Sequence, residues 1–76
     1  MIAKKGMVLK LNNDEKYLVD DVHNIKGVDI VVLLSLSKHT FHIAKEVMED
    51  NKLNYEFLND EKSQKVAMLI DAQRKK

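Results

Sequence analysis

The chain has 76 residues with no cysteine and no proline, and 13 Lys plus Arg stand against 12 Asp plus Glu for a formal charge of +1. This length supports one domain, whose core supplies only roughly 3–5 kcal/mol unless it is shared with another subunit. The missing cysteine excludes disulfides, thiolate metal sites and thiol nucleophiles and fits a reducing compartment, while the balanced charge offers no bulk attraction to nucleic acid or a membrane surface.

A 45% apolar fraction beside 33% charged residues reads as a folded soluble domain. Lys4 and Lys5 near the start are followed by Asn12, Asn13, Asp14 and Glu15 before a long apolar stretch can form, which is not the pattern of a signal peptide. The longest apolar run, 30–34, is far short of the roughly 20 residues a membrane helix needs. A cytoplasmic protein is the expectation.

In chain order, residues 7–11 alternate, with Met7, Leu9 and Leu11 on one side, as a half-buried strand does. Asn12 to Glu15 carry turn chemistry, and residues 16–22 return as a second strand favoured by Tyr17 and Val19. Residues 23–27 form the next connection, with Gly27 the natural place for a positive φ. Residues 28–36 are apolar on both faces: Val28, Ile30, Val32, Leu34 and Leu36 on one, Val31 and Leu33 on the other. Such a strand is usually central and covered on both sides.

A turn at 37–39 leads to a strand over 40–48, where Lys45 interrupts the apolar side and predicts a bulge or an edge position. After a polar turn at 49–52, Leu53, Tyr55 and Phe57 alternate as a fifth strand. Beyond Leu58 the period becomes helical, with Asn59 or Asp60 as the cap, Asp60 and Glu61 in the first turn and Arg74, Lys75 and Lys76 at the end, all suited to the helix dipole. Val66, Leu69, Ile70 and Gln73 share the stripe expected to meet the sheet, with Ala67 and Ala72 at its borders. The predicted fold is one α+β domain: residues 1–6 as a tail, 7–58 as a strongly curled sheet of five short antiparallel strands, and 60–75 as a C-terminal helix.

The succession Lys16-Tyr17-Leu18-Val19-Asp20-Asp21, Asp29-Ile30-Val31-Val32-Leu33-Leu34, Phe41-His42-Ile43-Ala44-Lys45 and Leu53-Asn54-Tyr55-Glu56-Phe57-Leu58 resembles small strand-rich uncharacterised proteins of low-GC Gram-positive bacteria and their phages or mobile elements. The resemblance runs from about Met7 to Gln73 in hydrophobic pattern and turn placement. It implies this fold, a phage or mobile-element setting and action on the surface of a host protein. No site residue comes with it.

Chemistry finds little purchase. His39 and His42 are spaced to share a metal on a helix, but on a strand residues three apart point to opposite faces, so both read as surface histidines. His23 stands alone in a loop. The carboxylate pairs Asp20-Asp21 and Glu49-Asp50 flank turns and read as solvated strand ends. Ser35, Ser37 and Ser63 lack the glycine-flanked elbow of a nucleophile, and Gly6 and Gly27 cannot build a phosphate loop. No catalytic, cofactor or metal residue is expected, and the chain reads as non-enzymatic.

A nucleic-acid platform would use exposed aromatics among basic residues, drawing on Tyr17, Phe41, Tyr55 and Phe57 with Lys4, Lys5, Lys10 and the 74–76 tail. The apolar setting of Phe41, Tyr55 and Phe57 favours a core role, so this is the alternative. The leading expectation is a protein-interaction module. One helix covers one face of a small sheet, which leaves Val31 and Leu33, with Leu18 and Met48 as neighbours, as the candidate interaction face. Sheet curl within a monomer would bury them; a protein partner or a second copy in a symmetric homodimer would cover them instead.

Overall fold

The computed structural model describes residues 2–11, 14–58 and 60–74. Five antiparallel strands lie side by side in chain order: β1 (Val8–Lys10), β2 (Lys16–Ile25), β3 (Val28–Ser35), β4 (Phe41–Glu49) and β5 (Lys52–Phe57), followed by helix α1 (Asp60–Arg74). The sheet curls strongly into half a barrel, the α+β architecture expected from the sequence. β3, apolar on both faces, is the middle strand. Among the described residues no helix is long and apolar enough to cross a membrane. The expected cap Asn59 and the basic residues Lys75 and Lys76 lie outside the described residues, as does the Asn12-Asn13 part of the first turn.

Two connections are two-residue turns, Lys26 with Gly27 and Asp50 with Asn51, closed by the pairs Ile25 with Val28 and Glu49 with Lys52. All four turn residues have positive φ, at 52°, 82°, 47° and 63°, the signature of the turn whose twist matches that of the flanking strands. Gly27 takes this conformation without steric cost, and Asn24 Oδ1 accepts its N–H at 3.2 Å. The expected connection at 23–27 is therefore corrected: β2 continues through His23, Asn24 and Ile25, which pair with Ile30, Asp29 and Val28.

The bulge is also relocated. Lys45 pairs regularly with Ile30 on one side and Glu56 on the other, in an inner strand, and its ammonium reaches Glu56 Oε2 at 3.3 Å. With its charge answered across the strand, Lys45 needs neither edge nor bulge. The irregularity falls instead in β2, where Val19 pairs with Leu33 and Asp21 with Val32, leaving Asp20 as the extra residue. A bulge sharpens strand twist, and here it accompanies the bend of the longest strand around the sheet.

Curl gives the two faces separate cores. The inner face gathers Tyr17, Val19, Val31, Leu33 and Ala44, with Leu9, Leu11, Val22, Tyr55 and Phe57 packed around them. On the outer face, α1 lays Ile70 and Val66 over Ile30, Leu58, Ile25, Val32 and Ile43. Full burial of an aliphatic side chain is worth about 1.5–3 kcal/mol, so these clusters carry the stability that no disulfide supplies.

Two further expectations are corrected. Residues 2–6 are no loose tail: Ala3 is buried in the inner cluster, and Gly6 N–H donates to the Val19 carbonyl at 2.8 Å. The helix is rotated from its predicted stripe, with Val66 and Ile70 toward the sheet but Leu69 and Gln73 exposed. Val66 and Ile70 meet the outer cluster, and Arg74 reaches Asp21 on β2.

Candidate functional site

Four residues were expected to share an interaction face, and the structure separates them. Val31 and Leu33 are 0% exposed at the centre of the inner cluster. The curl thus supplies, within one chain, the cover that a partner would otherwise give, and neither residue offers surface for docking. That corrects their assignment to an interaction face. Met48 points to the same side of β4 as the buried Ala44 but lies near the strand end, opposite Leu53, and is 60% exposed. Leu18 neighbours the inward Val19 and therefore faces out.

Leu18 belongs to a different apolar group. It pairs with Val8 on β1 and Leu34 on β3, and Leu34 pairs with Phe41 on β4. The four side chains form a ladder across four strands on the helix-bearing face, since β3 alternation puts Leu34 with Ile30 and Val32. Leu18 and Leu34 are half-buried, whereas Val8 and Phe41 are 54% and 62% exposed, and Leu36 continues the exposed strip. Sequence alternation already placed Leu34 and Leu36 with the helix-covered residues. It could not show that α1 passes to one side of them.

Beside Phe41 the surface is concave. A hollow of about 300 Å³ between sheet and helix is lined by Val32, Phe41, Ile43, Ala67 and Ile70, with Asp20, Asp71 and Arg74 at its polar end. A second, of about 240 Å³, lies between Phe41 and the Ser63-Gln64 turn of α1. The bulge positions the polar end: Asp21 Oδ2 accepts from Arg74 Nη2 at 2.7 Å, and Asp21 Oδ1 accepts the Val22 N–H at 3.0 Å. His23 Nε2 is 3.2 Å from the same Oδ2, without the alignment of a hydrogen bond. Burial raises the Asp21 carboxyl, but the hydrogen bonds from Arg74 and Val22 and the charges of His23 and Arg74 outweigh it, leaving the pKa below its usual 3.8.

The inner face holds its own polar device. Glu46 accepts the backbone N–H of Ala3 at 2.8 Å and of Ile2 at 3.1 Å, and the Tyr55 hydroxyl donates to it at 3.4 Å. Burial, then the Glu46 charge and hydrogen bond, push the Tyr55 hydroxyl up to about 12. This cluster fastens the N-terminal segment over the sheet.

The remaining candidates fall elsewhere. His39 sits in an exposed turn at φ 56°, but His42 is half-buried, edge-on to Tyr17 and Phe57 at 5.8 and 5.7 Å, so only one of the pair is a surface histidine. Ser35 is buried and accepts the Lys38 N–H to shape its turn. Of the four aromatics weighed as a stacking platform, Tyr17 is buried, Tyr55 and Phe57 are half-buried on the inner face, and Phe41 alone is well exposed. Lys10 is 3.7 Å from Asp14 and Arg74 is held by Asp21. Among the described residues no three His, Asp or Glu side chains group to hold a metal.

Comparison with family models, with curated proteins and with solved structures gives no match. The functional reading rests on the surface of this chain.

Proposed function

We propose that the chain is a non-enzymatic protein-interaction module that docks a host protein through the outer ledge formed by Val8, Leu18, Leu34 and Phe41. The observation that carries this reading is the register of the ladder, which aligns four apolar side chains across β1 to β4 and leaves its two ends more than half exposed. An exposed aromatic flanked by two hollows of mixed lining, with Asp20, Asp71 and Arg74 at the rim of one, has the form of an interface: an apolar centre, a polar edge and one aromatic anchor. The partner this surface fits presents aliphatic side chains that enter the hollows beside Phe41.

The test is affinity capture from host lysate by the wild-type chain and by Phe41→Glu, each with and without nuclease. Phe41 is exposed, so the variant keeps its circular dichroism spectrum. A captured protein that survives nuclease and is lost with Phe41→Glu supports the reading. Equal capture by both chains rejects the ledge. Capture abolished by nuclease assigns the chain to the nucleic-acid alternative.

A further inference from the structure

Helix α1 covers part of the outer face and leaves apolar surface on both flanks. The second flank is a hollow of about 310 Å³ walled by Ile25, Val28, Ile30, Leu58 and Val66. Four lysines complete its lining: Lys26 from the β2–β3 turn, Lys45 from β4, and Lys62 and Lys65 from α1. We propose that this hollow binds a single-chain anionic amphiphile, an aliphatic carboxylate of fatty-acid type, with its tail on the valine, isoleucine and leucine wall and its head among the ammonium groups.

Three observations carry the assignment. The wall is almost entirely carbon, and lysine stems extend such a wall, since a lysine lays its methylene chain on apolar surface and keeps its ammonium group in water. The volume meets the lower bound of small-molecule sites, about 300–1,000 Å³, and suits one alkyl chain rather than a folded partner. The lining is cationic: the whole chain carries only +1, yet four lysines from three separate elements border one opening, and Lys45 alone of them is ion-paired among the described residues.

Ordinary stabilising roles do not account for that convergence. Lys45 is paired with Glu56, but Lys26, Lys62 and Lys65 have no ion-pair partner among the described residues. Lys62 also lies in the first turn of α1, where the helix dipole disfavours cations. Lys26 occupies a left-handed position that lysine rarely adopts. An anion at the mouth answers the charge of the three lysines that Glu56 does not neutralise. A carboxylate with an aliphatic tail satisfies charge and wall together, which a neutral lipid or a free inorganic anion does not.

The experiment is a titration of the isotope-labelled full chain, followed by amide and methyl chemical shifts, with monomeric decanoate, with decanol, and with vesicles containing phosphatidylglycerol. Saturable decanoate shifts centred on Ile25, Val28, Ile30 and Val66 are expected, with decanol binding more weakly. The double variant Lys62→Gln, Lys65→Gln should bind decanoate about fivefold more weakly, the loss of two exposed charge contacts. Equal binding of decanoate and decanol, or an unchanged affinity in the double variant, would overturn the proposal. So would the absence of decanoate shifts, and so would binding to the vesicles without binding to decanoate, which would make the flank a membrane-surface patch. None of these results depends on the ledge around Phe41.

Discussion

Arg74 donates from Nη2 to Asp21 Oδ2 at 2.7 Å, joining the last turn of α1 to the bulge of β2 across a sequence separation of 53 residues. The bulge makes this contact possible, because it places consecutive residues Asp20 and Asp21 opposite Val32, under the end of the helix. The pair ties the end of the helix to the bulged part of β2, on the outer face that α1 partly covers.

Arg74→Gln should destabilise the chain by about 0.5 kcal/mol at pH 7, a modest value because Arg74 is half exposed. Asp21 has a lowered pKa in the folded state, so its contribution is fully present above its usual 3.8 and is lost as pH falls toward the folded value. Urea unfolding of both chains should therefore show a difference at pH 7 that shrinks by pH 3. A difference that persists unchanged in acid would show that Arg74 acts through packing.

Leu33→Ala should remove about 2–5 kcal/mol, since Leu33 is fully buried in the inner cluster and its truncation leaves a cavity. With a core worth roughly 3–5 kcal/mol, the variant should be largely unfolded at room temperature. Leu33→Lys should unfold outright in circular dichroism. A folded Leu33→Lys monomer would mean that the side chain had faced solvent or a partner.

Lys26→Asn should stabilise the fold. Lysine at φ 52° carries strain of roughly 1–2 kcal/mol that asparagine largely escapes, and Asn-Gly is the preferred pair for this turn. For a domain of this size each 1 kcal/mol corresponds to about 4–8 °C in melting temperature, and a rise in that range is expected by calorimetry. The same variant removes one cation from the lysine-rimmed hollow, so decanoate affinity should fall while stability rises.

Tyr55 should ionise near pH 12 in the folded chain. Its pKa is raised above the ordinary 10, so its contribution to stability is intact below pH 10 and is lost as pH rises through about 12. Ultraviolet titration of tyrosinate should show the displaced transition, and Glu46→Gln should move it part of the way back, because burial remains when the charge is gone. No movement in Glu46→Gln would assign the shift to burial alone.

Much of the fold was legible in local pattern. Period-2 alternation in 7–11 and 53–57 marked strands, and polar runs demanded short antiparallel connections. A change of period after Leu58, with acids first and bases last, marked the helix. The two-faced apolarity of 28–36 placed β3 in the middle of the sheet, because such a strand needs cover on both sides. These features rest on side-chain geometry repeated every two or 3.6 residues, which sequence alone displays.

Tertiary structure decided the rest, since it depends on contacts between distant segments. Curl, with the bulge at Asp20, determined that Val31 and Leu33 close on Tyr17, Phe57 and the returning Ala3 instead of facing a partner. Pairing across strands answered Lys45 with Glu56 and so removed the need for a bulge in β4. The anchoring of Arg74 on Asp21 and of Ile70 on the outer core fixed the rotation of α1, turning Leu69 outward where periodicity had it inward. That same path across the sheet left Phe41 exposed on one side and the lysine-rimmed hollow on the other, because one 15-residue helix can shield only a single strip of a five-stranded face.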